Sequence, residues 1–255
     1  EYRCQLTLFI RKPNRLEATP EAQAFYRDVD RVFIGLEEIS RSAAAIANKE
    51  QGSLRIVAMP VCVDSFLPEV IAEFRELYPN VIIELESSPR TQALDMVRSQ
   101  RLELGIVSLT GHEDVGLSVQ TLCHQQAVCI LPLGHLLADK EVIEVQDLAG
   151  LPFISLSKGS PFRARFDEIF QREGVQRNLV TETRYQRTVY ELVKRGAGVS
   201  IVDSLVTKEA ETEVLVKPFV PELSWQYAIV QPHAAVPSLI VQAFSNLLLA
   251  HFNKV

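Results

Sequence analysis

Cysteine is scarce in this chain of 255 residues: Cys4, Cys62, Cys123 and Cys129, with no Cys-x-x-Cys pair. That excludes a disulfide scaffold at this size and points to a reducing, cytoplasmic setting. Cys123 and Cys129 lie in one β-rich stretch. Six extended residues separate them by about 20 Å, far beyond the roughly 7 Å limit for a bridge, so we expect thiols packed as small apolar side chains. No apolar run reaches the roughly 18 residues of a membrane-crossing helix, so no membrane partner is expected. Eleven glycines and 13 prolines are too few for a collagen-like or low-complexity chain. A net charge of −6 argues against strong nucleic-acid binding by these residues alone. The start, Glu1-Tyr2-Arg3-Cys4-Gln5, has neither an initiator methionine nor a basic-then-apolar leader, and reads as internal to a longer chain.

Catalytic motifs are missing too. There is no Walker loop, Gly-x-Ser-x-Gly or His-Glu-x-x-His, and His112, His124, His135, His233 and His251 show no metal-ligand spacing. Gly196-Ala197-Gly198 follows a helix and precedes a strand, the reverse of a dinucleotide fingerprint, so it reads as a helix C-cap. An enzyme, a metal site and a cofactor are therefore not expected.

What is present is a globular composition, 47% hydrophobic and 23% charged, in a chain long enough for two domains. Thr19 suits a helix N-cap, Pro20 the first helical position and Glu21 the positive helix end. Apolar residues then recur at Ala22, Phe25, Val29, Val32, Leu36, Ile39, Ala43 and Ile46, alternating steps of three and four, with charged residues between them. That is an a/d seam, and its stripe stays wet without a partner helix. We expect a dimerisation helix, with Phe25, Val29, Val32, Leu36 and Ile39 in the seam; a helix packed on its own domain is the alternative.

After Gly52 short apolar runs alternate with amphipathic segments. Strands are expected at 54–59, 81–85 and 104–107, with helices at 65–78, capped by Ser65, and 90–101. The same order returns with strands at 153–156, 179–183 and 199–202 and helices at 162–172 and 188–195. Two β-rich stretches, 117–131 and 225–231, and a last helix, 237–252, complete the chain. The fold class expected is α/β, with two Rossmann-like subdomains, mainly parallel sheets and two crossover segments. Such a duplicated layout is a clamp that closes on a small solute held at strand ends and helix N-termini. A periplasmic-type solute-binding protein for an amino acid shares this layout, although the cysteines and the heptad helix weigh against it. An interaction module without a ligand is a third reading.

Several stretches together resemble a known family. They are Leu8-Phe9-Ile10-Arg11 with Arg15-Leu16-Glu17-Ala18-Thr19-Pro20-Glu21-Ala22, Gly52-Ser53-Leu54-Arg55-Ile56, Phe74-Arg75-Glu76-Leu77-Tyr78-Pro79, Leu131-Pro132-Leu133-Gly134-His135 and Val193-Lys194-Arg195-Gly196-Ala197-Gly198-Val199. The chain is similar over almost its whole length to LysR-type transcriptional regulators, with Pro20-Glu21-Ala22 where the family usually has small residues and glycine. The resemblance implies a periplasmic-binding-protein type of fold. It assigns 1–18 to the end of a winged helix-turn-helix and 19–52 to the linker and dimerisation helix. Residues 53–131 with 226–255 would form effector-binding subdomain I, and 132–225 subdomain II. It also implies DNA binding through a preceding N-terminal domain and assembly as a homodimer or tetramer.

Ile154-Ser155-Leu156-Ser157, Glu182-Thr183 and 237–245 resemble most the branch of the family that governs lysine synthesis, and less closely its opine-catabolism regulators. The implied effector is diaminopimelate, lysine or a related basic amino acid. Family effectors bind between the subdomains, which here implies Pro60, Val61, Asp64, Ser65, Ser87, Ser88, Thr91, Ser157, Lys158, Phe162, Arg163, Thr183, Arg184 and Asp203. Ser65 and Ser88 beside helix N-termini could hold a carboxylate, Arg163 or Arg184 could grip it bidentately, and Asp64, Glu182 or Asp203 could face an ammonium. Each also has a plain structural reading: Ser65 as a cap, Arg163 as a solvated helix residue, Asp203 as a cap of the following turn.

Overall fold

A computed structural model of the chain describes residues 4–12, 15–30, 32, 52–109, 116–207, 213–233 and 236–253. It opens with an antiparallel hairpin, β1 (Phe9–Lys12) and β2 (Arg15–Ala18), Phe9 lying opposite Ala18. Thr19 then starts a helix, α1, whose described turns cover 20–30. The Ala22 N–H donates to Thr19 Oγ1 at 3.0 Å, and that hydroxyl donates to the Thr7 carbonyl at 2.7 Å, so the cap also ties the helix to the hairpin. Phe25 and Val32 are 36% and 63% exposed, and Val29 is half-buried. Leu36, Ile39 and the rest of the expected seam lie outside the described residues.

Strand β3 (Ser53–Ala58) is buried at every position but its first, as in a strand covered on both faces, and its one charged residue, Arg55, faces Glu103. It runs parallel to β4 (Ile82–Ser87) and β5 (Leu104–Leu109). The chain between them forms the single turn α2 (Pro60–Val63), α3 (Leu67–Leu77) and α4 (Arg90–Arg98), the last burying Ala93, Leu94 and Val97 on one face. Ser65 does not cap α3. The N-cap position belongs to Phe66, without a side-chain bond, and Ser65 Oγ donates back to the Val61 carbonyl at 2.6 Å, closing the α2 turn. The final helix α7 (Leu239–Asn253) returns to α3, where Phe244 meets Phe74 edge to face at 5.2 Å.

The second unit repeats the pattern. Strands β8 (Pro152–Leu156) and β9 (Asn178–Thr183) are parallel, linked by α5 (Pro161–Arg172) and followed by α6 (Gln186–Lys194) and β10 (Ser200–Asp203). Helix α6 ends as expected at Gly196, whose φ of +77° suits glycine. The Gly196 and Ala197 N–H groups bond the carbonyls of Val193 and Leu192. A Cβ on Gly198 would stand 2.5 Å from the Pro152 carbonyl oxygen, so only glycine lets β8 approach there.

The crossovers are antiparallel, which qualifies the expected parallel sheet. Strand β6 (Ser118–Leu131) pairs with β12 (Ser224–Gln231) over Ser118–Gln126, and β12 also pairs with β5. From Ala127 onward β6 pairs instead with β10 and with β11 (Leu215–Val220), itself parallel to the short β7 (Ile143–Glu144). Fourteen extended residues span about 45 Å, enough for one strand to serve both units. Cys123 and Cys129 both lie on β6, and all four cysteines are free.

Candidate functional site

The C-terminal ends of β3, β5, β8 and β9 face one another across a cleft of about 400 Å³. Parallel strands leave such a crevice at these ends because the connecting loops diverge there. One wall is Met59, Pro60 and Val61 after β3, Pro89, Arg90 and Thr91 at the start of α4, and Ser108 on β5. The other is Leu156 through Phe162, then Arg165 on α5, and Arg184, Tyr185 and Gln186 after β9. Trp225 and Tyr227 of β12 complete it, and the Phe162 ring meets the Trp225 ring edge to face at 4.6 Å.

No aspartate or glutamate lines this cleft among the described residues, whereas Arg90, Lys158, Arg165 and Arg184 do. Arg90 Nε donates to the Ser108 carbonyl and Arg165 Nη1 to the Ser224 carbonyl, both at 2.9 Å. Burial lowers the Arg165 pKa from its ordinary value, with Glu168 opposing.

Of the residues the sequence singled out, Pro60, Val61, Thr91, Ser157, Phe162 and Arg184 come together in the cleft, joined by Lys158. The other seven do not line it. Arg163 follows Phe162 by one residue, about 100° around the helix, and so turns into the core. Its Nη1 donates to Ser155 Oγ (2.8 Å), the Leu156 carbonyl (2.7 Å) and Glu182 Oε1 (2.8 Å), and its Nε to Asp167 Oδ1 at 2.6 Å. Burial opposes the Arg163 charge, but the Glu182 and Asp167 carboxylates outweigh it and raise the pKa. Arg163 is thus neither a solvated helix residue nor a cleft residue.

Asp203 lies behind the cleft. Its Oδ2 accepts from Trp225 Nε1 at 2.8 Å and Tyr227 O–H at 2.6 Å, and its Oδ1 accepts the Leu205 N–H at 2.8 Å. The last bond is the turn cap expected as its structural reading. Burial raises its pKa to about 6 against those three donors. Asp64, at the C-cap of α2, is raised by burial and lowered by the Arg187 charge. Ser65 is held by its own turn, Ser87 is exposed at the end of β4, and Ser88 is buried with Oγ donating to Glu86 Oε1 at 3.3 Å. Thr183 is half-buried, and its carbonyl accepts the Ser157 N–H at 2.7 Å.

The cleft also holds residues that reading the sequence passed over, chiefly Arg90, Arg165, Tyr185, Gln186, Trp225 and Tyr227. Three of these had a signal. Trp225 and Tyr227 stand at i and i+2 on an expected crossover strand, hence on one face, and Arg165 stands three residues after Phe162 on one helix face.

The family model of the LysR substrate binding domain matches residues 47–253. The chain belongs to the LysR family of transcriptional regulators. This LysR-family chain is 31% identical over 251 residues to the transcriptional activator protein LysR of Escherichia coli, covering 98% of this chain and 80% of that protein. It is 34% identical over 245 residues to the regulatory protein NocR of Agrobacterium tumefaciens, covering 96% and 81% respectively. Among solved structures, the CcmR regulatory domain of Synechocystis PCC6803 in complex with 2-PG is similar in fold. Its TM-score is 0.71 at 23% identity, over 80% of this chain and 99% of that one. These relatives are regulators rather than enzymes, and the part described after Gly52 is the family's effector-binding domain.

Proposed function

We propose that the cleft is the effector site of a cytoplasmic DNA-binding regulator, and that an amino-acid-like metabolite closes the two subdomains upon it. The observation that carries this reading is the convergence of four strand ends, four cations and four aromatic rings from both units on one cavity. Pro60, Val61, Thr91, Ser157, Phe162 and Arg184 are the contact residues proposed from the expected set, with Arg165, Trp225 and Tyr227 added. Diaminopimelate, lysine and related amino acids are the first compounds to try. Closure would bend the crossover strands β6 and β12 and so re-angle whatever precedes α1. A ligand shifts that equilibrium only by its differential affinity for the two arrangements.

DNA would be engaged by an N-terminal domain ahead of the hairpin, and dimers would form through α1, whose Phe25 and Val32 are left open to solvent. Val32→Asp should then lower the mass measured by light scattering, and an unchanged mass would refute the seam.

The deciding experiment is thermal unfolding of the chain with diaminopimelate, lysine, arginine, ornithine and opines in turn. At about 100 times its dissociation constant a ligand adds about 2.7 kcal/mol, or roughly 5–10 °C at this size. One compound doing so supports the reading. A flat response across these and other small acids would remove it.

A further inference from the structure

An amino acid bound between the walls would need an anion for its ammonium group, and the three acidic residues suited to that role are engaged elsewhere. Asp203 accepts from Trp225, Tyr227 and Leu205; Glu182 accepts from Arg163; Asp64 does not line the cleft and lies in the field of Arg187. Against this, three cations stand on the second wall alone. Lys158 follows β8, Arg165 sits in the second turn of α5, and Arg184 follows β9. Among the described residues Lys158 and Arg184 make no ion pair, although the chain as a whole carries six more acidic than basic residues. A local excess of cations in an acidic protein, opening onto a concave and largely apolar pocket, focuses the field on an anion.

Resting on the effector reading above, we infer that this cleft selects a small organic anion, one whose carboxylate or phosphate groups outnumber its ammonium groups, over a basic amino acid. Lys158 and Arg184 supply the charge, and the Ser157 and Ser160 hydroxyls at the entrance to α5 supply further donors. Phe162, Trp225 and Tyr227 give the carbon body an apolar seat. Without an anion, the concentrated positive charge of this wall is uncompensated. A ligand that neutralises it is favoured most when the opposite wall closes and water is excluded, which supplies the differential affinity that closure requires.

The test is calorimetric titration of the full chain with two panels, at low and at moderate salt. The first is cationic: lysine, ornithine and arginine. The second is anionic, with a carboxylate arm that includes glutamate and 2-oxoglutarate and a phosphate arm that includes 3-phosphoglycerate, so that the two arms separate the two kinds of anion. The expected result is binding from the anionic panel only, weakened by salt. Lys158→Gln and Arg184→Gln should each weaken it about tenfold, the worth of one charge-assisted hydrogen bond, while leaving the melting temperature unchanged because both side chains are exposed. Binding of a basic amino acid with no response to anions overturns the charge inference and leaves effector sensing standing. Anion binding indifferent to both substitutions also overturns it, since the anion would then be held elsewhere. Failure of both panels overturns the inference and the effector reading together.

Discussion

Arg163 and Asp203 are two charges buried in the second unit, and their surroundings treat them in opposite ways. Arg163, 5% exposed, meets two carboxylates whose outer faces reach water, and its pKa is raised, keeping it charged. Asp203, fully buried, meets only neutral donors, and burial lifts it to about 6. Neutral hydrogen bonds orient a buried carboxylate but do not replace lost hydration, whereas an opposite charge does. The consequence is a division of labour. The Arg163 cluster ties β8, β9 and α5 into one unit, while Asp203 joins β10 to Trp225 and Tyr227 on the crossover strand behind the cleft.

That contrast can be broken most strongly at Asp203. Asp203→Ala strands the Trp225, Tyr227 and Leu205 donors; after relief of the buried charge, a net loss of about 3 kcal/mol is expected in urea unfolding. Loss under 1 kcal/mol would mean that water replaces the carboxylate. Arg163→Met should cost about 2 kcal/mol, less than the usual loss for a broken buried pair because Asp167 keeps Arg177 and both carboxylates are more than a third exposed.

The finest test is pH. A carboxyl whose folded pKa of about 6 exceeds its unfolded value of 3.8 binds more protons when folded, so stability rises as pH falls from about 6 towards 3.8. Between pH 7 and 5 this amounts to about 1 kcal/mol, and Asp203→Asn should abolish it. His135, lowered by burial, works in the opposite direction over part of that range, and the difference between the two proteins cancels it. Parallel pH profiles for the two would remove Asp203 as the titrating group.

Much of the fold was legible from apolar spacing. Strand β3 and helix α5 fall within one residue of where the pattern put them, because continuous burial and one-sided burial leave different periods. Strand β11 was not, since Leu215–Val220 is only partly buried and carries Lys217 and Pro218. The cleft lining was legible at positions that follow a strand directly, such as Pro60, Val61 and Ser157. It failed at Arg163 and Asp203, where chemistry suited to a ligand was taken up by Glu182, Asp167, Trp225 and Tyr227, residues 4 to 24 positions away.

The sequence by itself determined the order of strands and helices, the duplicated layout and the cap at Thr19, because these depend on neighbours within a few residues. Only the tertiary structure decided which charges face the cleft. A polar side chain finds its partner by proximity in space, and the pairings that withdrew Glu182 and Asp203 while leaving Lys158 and Arg184 open exist only once the strands are assembled.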